Sequence, residues 1–412
     1  MGEEQQRGSR VVRITSTIVT GSVALSIAVI IIALSIVSGF RQEIRERTTG
    51  FVGEVIISPF GTDYMNDAYP LSLTLSYLPM ISDLNNVSHI QSFAFIHGLI
   101  QVEDAIQGVV IKGVGKEFDP AFFNATLSVG RFPQCNDTVP SMELLVSKRM
   151  SDALSLEISQ TGDLSQKIVI WFIDESGRAR PRSFTICGMH NATLEEMDRT
   201  LAIGDIRVVQ QLNGWTPVQV GGIEVLLHHP GSMEQTAREI EELAARYGDG
   251  DDDSLSVKTA KDLFANLFDW LKLVDMNLLI VLILMIAVAG VNMVSGLLIM
   301  LFDKTSMIGL LKSLGMKNRE IRLAFIFRMG KLILWGMFIG NVIALTLCML
   351  QKQFTLISLD QSNYAVSSVP ISINAWGVCL MNMVSFLLIM GLMVLASMMV
   401  MRISPERALR VS

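Results

Sequence analysis

Gly113-Val114-Gly115-Lys116 is the stretch of this chain closest to a phosphate-binding loop, and it fails at two positions. A GxxxxGK loop wraps phosphate in backbone N–H groups, sets a first glycine five residues before the second, and follows its lysine with Ser or Thr. Here those positions hold Val110 and Glu117. The chain is therefore not expected to bind ATP by itself. The run Asp249–Asp253 has the charge for calcium, but an EF-hand loop closes with a glutamate at its twelfth position. Counted from Asp249 that residue is Ala260, so a solvated turn is the expectation. Five scattered histidines and four cysteines form no metal-ligand pattern and no CxxC. Cys135 and Cys187 can pair if exported into an oxidising compartment; Cys348 and Cys379 fall in apolar stretches and read as packing residues. Asp174-Glu175 and Glu195-Glu196 read as solvated surface. No Ser-His-Asp set or paired carboxylates stand out. No catalytic, cofactor or metal site is expected, and no nucleic-acid partner.

The elements that carry this chemistry-poor sequence are apolar. Ile14–Phe40, Met276–Phe302, Leu332–Gln351 and Gln361–Met401 contain no Asp, Glu, Lys or Arg. A hydrocarbon core of roughly 30 Å takes about 20 helical residues, and each stretch is long enough. Hydrophobic residues make up 50% of the chain and charged ones 17%, with mean hydropathy +0.45. The expected fold class is a membrane α-helical protein with four transmembrane helices in a 1 + 3 arrangement, and a large extracytoplasmic α+β domain between helices 1 and 2. The first span is too long for a signal-peptide core and no Ala-x-Ala-like site follows it, so an uncleaved anchor is expected. Neither end carries a lipidation motif.

Basic residues near the spans set sidedness. Asp303–Lys331 carries seven of them (Lys304, Lys312, Lys317, Arg319, Arg322, Arg328 and Lys331) against Asp303 and Glu320. Arg7, Arg10 and Arg13 precede the first span; Arg402, Arg407 and Arg410 follow the last. These segments are expected in the cytoplasm. The insert Arg41–Asp275 holds 19 basic and 33 acidic residues, a net −14, and is expected outside.

The expected organisation is a cytoplasmic tail over 1–13, spans at 14–40, 271–302, 332–351 and 374–401, and an exported domain over 41–270. A cytoplasmic loop over 303–331, an outer loop over 352–373 and a tail over 402–412 complete it. Within the exported domain, Gly53–Ser58 reads as a strand, Leu75–Asn85 as a helix, and Ser92–Val102 with Ala105–Val114 as a hairpin. The stretch after Gly221 reads as a strand, Ser232–Tyr247 as an amphipathic helix and Leu255–Lys258 as a strand. Between them, Glu143–Ser147, Lys167–Asp174, Ser183–Gly188 and Thr200–Ile203 read as strands. This predicts a β-α-β subdomain split over 50–115 and 221–260, interrupted by a strand-rich subdomain over 116–220.

Four stretches carry a resemblance: VALSIAVIIIALSIVSGFRQEIRERTTGF (Val23–Phe51), FAFIHGLIQVEDAIQGVVIKGVGKEFD (Phe93–Asp119), SFTICGMHNATLEEMDRTLAI (Ser183–Ile203) and DKTSMIGLLKSLGMKNREIRLAFIFRMG (Asp303–Gly330), with Pro405–Leu409 near the end. Together they resemble the permease subunits of lipoprotein-releasing (Lol-type) ABC transporters, within the FtsX/MacB-like permease superfamily. Family members begin with a basic, aromatic interfacial helix; here only Met1–Arg13 precedes the first span. The resemblance implies a bacterial inner-membrane permease that is not itself an enzyme. It implies a separate ABC ATPase subunit, a second permease (identical or sister), a periplasmic lipoprotein carrier, and lipoprotein substrate taken from membrane lipid.

It also assigns residues. The segment with Met307, Ile308, Leu310, Leu311, Lys312 and Leu314, ended by Gly315, matches the coupling helix that lies in a cleft of the ATPase, and Asn318 can cap the next helix. An interfacial helix held by anionic lipid through Arg319, Arg322 and Arg328 is the alternative. Trp171–Ser183 matches the place from which the carrier-binding hook projects, with Arg178, Arg180, Pro181 and Arg182 on its loop; an ordinary basic hairpin is the alternative. Val23, Ile27, Ile31, Val291 and Val294 are expected to line an apolar acyl-chain cavity between the first two spans, against simple lipid-facing packing. Gly21, Ser22 and Ser26, with Gly290, Ser295 and Gly296, offer small residues for a permease dimer. The spans hold no ionisable residue of the kind that marks an ion path. Asp275 sits at the outer rim beside Lys272. Thr259–Phe302 has few helix breakers and predicts one long helix that moves the exported domain as a rigid body. Two other functions share these features: ATPase-coupled regulation of a cell-wall hydrolase, and efflux of the macrolide-exporter type.

Overall fold

The computed structural model describes residues 2–400 apart from 66–68, 76, 103–104, 136–138, 155, 157–165, 174–176, 193, 248–254 and 360–367. The run Asp249–Asp253, the pair Asp174-Glu175 and the tail from Arg402 lie outside these residues. The chain divides into two compact units, one of residues 1–43, 269–359 and 368–412 and one of residues 44–268 and 360–367.

Helix α1 (Gly2–Val52) runs through Gly39 and through the charged turn after it. It ends where Gly53 adopts φ +69°, a left-handed conformation that glycine enters without steric cost. Gly39 has a different use: a Cβ there would overlap the main chain of Pro370. Helices α2 (Ala265–Asp303), α3 (Thr305–Ser313), α4 (Asn318–Phe354) and α5 (Ala375–Val400) follow the strand-rich part of the sequence. Four stretches, Ile14–Val52, Ala265–Phe302, Arg319–Phe354 and Ala375–Leu395, are long and apolar enough to cross a membrane. The single helix expected over Thr259–Phe302 is broken. A four-residue helix, Ala260–Leu263, ends at Phe264, whose backbone leaves the helical region. Thr259 and Asp262 form a capping box at its start.

In the first unit, Val23, Ile27, Ala28 and Ile31 of α1 meet Ala289, Met293 and Leu297 of α2, Met329, Ile333 and Met337 of α4, and Ile389 and Met393 of α5. Lipid tails are as apolar as these side chains, so close packing and interhelical hydrogen bonds must hold such helices together. Both are present. A Cβ on Gly336 would lie 2.9 Å from the Thr20 carbonyl oxygen, and one on Gly340 2.5 Å from that of Ala24. Asn292 Nδ2 donates to Ser22 Oγ at 2.5 Å; Asn341 and Asn382 exchange amide hydrogen bonds of 2.8 and 2.9 Å. Gly296 faces Val19 and Gly290 faces Leu392. Ser22, Gly290 and Gly296 thus serve contacts within the chain. Asp275 pairs with Arg41 at 2.5 Å, and Lys272 with Asp269 at 2.6 Å.

The second unit is built on a ten-stranded sheet. Its strands are β1 (Val55–Pro59), β2 (Val87–Val102), β3 (Ala105–Val114), β4 (Leu127–Gly130), β5 (Glu143–Ser147), β6 (Lys167–Ile173), β7 (Ala179–His190), β8 (Leu201–Asp205), β9 (Gly222–Leu227) and β10 (Leu255–Thr259). The order is β10-β1-β9-β2-β3-β8-β5-β7-β4, with β6 paired to both β2 and β7. The β3–β8 and β5–β7 pairs are parallel. Strands from the segments expected as two subdomains, 50–115 with 221–260 and 116–220, therefore share one sheet. Alternation along each strand feeds two cores. Val55 and Ile57 of β1, with Ala94 and Ile96 of β2, join Met233, Ala237 and Ile240 of the helix Met233–Tyr247. Ile56, Phe93 and Phe95 point the other way, to Phe51 and Val52 at the end of α1. The helix expected over Leu75–Asn85 covers only Leu78–Ser82.

Candidate functional site

The residues assigned from sequence separate into three places. The first is α3. Met307 and Leu310 of α3 and its C-cap residue Leu314 stand at i, i+3 and i+7, which puts them on one face. That face is bare: Leu310 is 61% and Leu314 76% exposed. Ile308 points inward at 9%, while Leu311 and Lys312 are half-buried. Ile308 therefore supports the helix and does not contribute to its outer face. Gly315 ends the turn at φ +88°, as the sequence suggests. The cap of α4 differs: Lys317, not Asn318, is the N-cap residue. Glu320 three residues on accepts from the Lys317 backbone N–H at 3.1 Å, which places a carboxylate where the helix dipole favours it.

The second place is the β6–β7 hairpin. Arg180, Pro181 and Arg182 lie inside β7, so the strand begins earlier than the expected Ser183 and the loop is shorter. Trp171 stands opposite Pro181, and Ile173 opposite Ala179. Proline can sit in this part of β7 because the partner strands on its other side begin pairing only at Thr185. All residues from Gly177 to Ser183 are exposed. β6 alternates between exposed Val169, Trp171 and Ile173 and buried Ile168, Ile170 and Phe172. Trp171 also pairs with Leu99 of β2, and both side chains are exposed. A cleft of about 750 Å³ adjoins Leu99, bordered by His97, Gly108, Arg149, Arg199 and Thr200. The hairpin thus combines three arginines with an apolar sheet face. Only the arginines and the proline were legible beforehand, because the run Ile168–Ile173 is apolar throughout and hides which alternate residues reach solvent.

The third place does not assemble. Val23, Ile27 and Ile31 are packed in the helix core, Val294 is half-buried, and Val291 is 64% exposed. Three of the five are thus core residues of the first unit and one is exposed.

Cys135 and Cys187 are free thiols. Burial pushes both up to about 12, away from the thiolate form that reacts. At Gly113–Lys116, the Glu117 carboxylate accepts from Ser92 Oγ and lies against Gly115. Among the described residues no group of three or more His, Cys, Asp or Glu side chains is placed to hold a metal ion.

Two family models match the chain. The family model for the MacB-like periplasmic core domain matches residues 16–243. That for the FtsX-like permease C-terminal region matches 279–405. The chain is 23% identical over 406 residues to the "Lipoprotein-releasing system transmembrane protein LolC" of Xylella fastidiosa (strain 9a5c), covering 94% of this chain and 92% of the relative. It is 23% identical to the "Lipoprotein-releasing system transmembrane protein LolE" of Haemophilus influenzae, covering 79% and 76%. Among solved structures it is similar to the periplasmic region of MacB from Actinobacillus actinomycetemcomitans, at 12% identity and TM-score 0.35, over 54% of this chain and 96% of that one.

Proposed function

The chain belongs to the permeases with a MacB-like periplasmic core domain, of the LolC/LolE type, and from that membership we propose that it releases lipoproteins from the bacterial inner membrane in an ATP-driven complex. A separate ATPase subunit docks on α3 and supplies the energy. Four spans in a 1 + 3 arrangement carry the motion, with α3 and both termini in the cytoplasm and the 44–268 unit in the periplasm. A second permease, identical or sister, completes the membrane part, and a soluble periplasmic carrier receives the acylated product at the β6–β7 hairpin.

The observation that carries this reading is the outer face of α3. Met307 and Leu310 on this short helix and Leu314 at its C-cap are apolar and exposed, next to a segment rich in Lys and Arg. An exposed apolar face with a polar rim is the pattern of a protein–protein contact. The hairpin supports the other end of the reading: Arg178, Arg180 and Arg182 suit an acidic partner, and Trp171 with Pro181 offers an apolar anchor of the kind that dominates interfaces. Acyl chains are held between this chain and the second permease, with exposed Val291 among the contacts and Val23, Ile27 and Ile31 behind it.

Co-purification tests the reading. The full chain is expressed with its ATPase and a tagged carrier, and each partner is scored separately. Recovery of both supports it. Recovery of the ATPase with a cell-wall hydrolase, or with an outer-membrane duct, would replace it with a regulator or an efflux permease.

A further inference from the structure

Lys112 of β3 and Glu224 of β9 are both completely buried, with Nζ 2.5 Å from Oε1. Removing two charges from water costs several kcal/mol per ion unless every lone pair and proton finds a partner. Glu224 is fully provided for. The Tyr64 hydroxyl donates to Oε1 at 3.1 Å and Gln91 Nε2 to Oε2 at 2.8 Å. The Gln91 carbonyl oxygen in turn accepts from Asp119 N at 3.0 Å. Lys112 lies over the rings of Phe93 and Phe118, 5.6 and 5.5 Å from their centroids. Its remaining acceptor is the main-chain carbonyl of Phe51 at 2.5 Å.

Phe51 is the penultimate residue of α1. The last carbonyls of a helix lack intrahelical donors and carry the negative end of its dipole, so an ammonium group there satisfies both. The Phe51 side chain is held as firmly as its carbonyl. Its ring packs edge-on to Phe122, Phe123 and His190 at 5.4, 5.5 and 6.0 Å. One turn back, Arg47 donates to the Ala192 carbonyl. An apolar pair in place of Lys112 and Glu224 is often neutral or stabilising in a protein interior. Stability alone therefore does not call for this pair. The bond to the helix end is what an apolar pair cannot supply.

We propose that the Lys112–Glu224 pair anchors the C-terminal end of α1 to the sheet, so that a displacement of that end moves the sheet with it. Lys112 is a positioning residue that acts through the Phe51 carbonyl, and Glu224 keeps it charged and aimed. The anchor stands on its own geometry; its consequence for release rests on the proposed function.

The test uses the full chain in lipid nanodiscs, with the four native cysteines replaced by alanine and spin labels at Glu46 of α1 and His97 of β2. The width of the inter-label distance distribution is compared between two double variants. Lys112→Met/Glu224→Leu removes the donor to Phe51 and is expected to broaden the distribution at least twofold. Lys112→Gln/Glu224→Gln keeps an amide donor without charge and is expected to retain the parental width. An unbroadened Met/Leu variant, or equal broadening in both, would overturn the anchor. If the Met/Leu variant does not purify as a single species, Lys112→Leu/Glu224→Gln gives the same reading while leaving one carbonyl acceptor for Tyr64 or Gln91. In reconstituted vesicles the Met/Leu variant is expected to hydrolyse ATP yet release lipoprotein at least tenfold more slowly. A parental complex that hydrolyses ATP and releases nothing would count against the proposed function, with the distance widths still deciding the anchor.

Discussion

Gly340 lies against Ala24, so close that a Cβ on the glycine would come 2.5 Å from the Ala24 carbonyl oxygen. With Gly336 one turn earlier, it lets α4 seat directly on the backbone of α1. This contact explains why Val23 and Ile27 are core residues and not the wall of a cavity: they fill the flanks of the same seam.

Gly340→Leu should therefore weaken the helix packing of the first unit by about 1–3 kcal/mol, the usual cost of overfilling a packed site. A Cβ on Gly391 of α5 would meet no atom within 4 Å, and Gly391→Leu is the matched control. Thermal stability of the detergent-purified chain reads both. A fall is expected for the first and none for the second.

Leu310→Asp with Leu314→Asp places two charges on the exposed face of α3. Co-purification with the ATPase should drop at least tenfold. Ile308→Ala should act differently, lowering the stability of the α3 region by trimming a buried side chain while leaving the docking face chemically intact. Normal ATPase recovery from the double Asp variant would remove α3 from the interface.

Arg178, Arg180 and Arg182 changed together to Glu should weaken carrier binding at least tenfold at low salt, and the difference from wild type should shrink as salt rises. Trp171→Ala should weaken it at every salt concentration, because its contribution is apolar. Titration of the carrier across a salt series separates the two effects. Unchanged binding in both variants would make the hairpin ordinary surface, or leave carrier capture to the second permease.

Much of the membrane part was legible in the sequence, because an absence of charge over some twenty residues has few other readings. What stayed hidden depended on contacts between distant residues. Nothing local marks Phe264 as the break in a helix-prone run, or gives Gly336 and Gly340 a role different from that of Gly391. The hairpin shows the same limit. Arg180, Pro181 and Arg182 look like loop residues, but pairing with Ile170–Phe172 draws them into the strand. The Lys112–Glu224 pair joins residues 112 positions apart, and neither has a neighbour in sequence that announces it.

His190 is buried at the end of β7, its ring 5.3 Å from that of Phe123. Burial pushes it down to about 4. The Asp198 carboxylate, 3.9 Å from Nδ1, is beyond hydrogen-bond distance and does not reverse this. The unfolded chain takes up the proton near 6.5 and the folded one only near 4, so stability falls as pH drops through that window. The loss approaches about 3 kcal/mol below it. Urea unfolding of a fragment spanning 44–268, at pH 7 and pH 4, should show a smaller acid loss for His190→Leu than for wild type. Equal losses would mean that His190 takes up its proton as readily folded as unfolded.

In the proposed function, ATP hydrolysis drives this chain to hand acylated protein to a soluble carrier. Proteoliposomes holding the chain, its ATPase and a labelled lipoprotein test it directly, by the amount of label reaching the supernatant. Transfer is expected to require ATP and carrier together and to be lost with Leu310→Asp/Leu314→Asp. A complex that hydrolyses ATP while the lipoprotein stays in the membrane, with the carrier present, would contradict it.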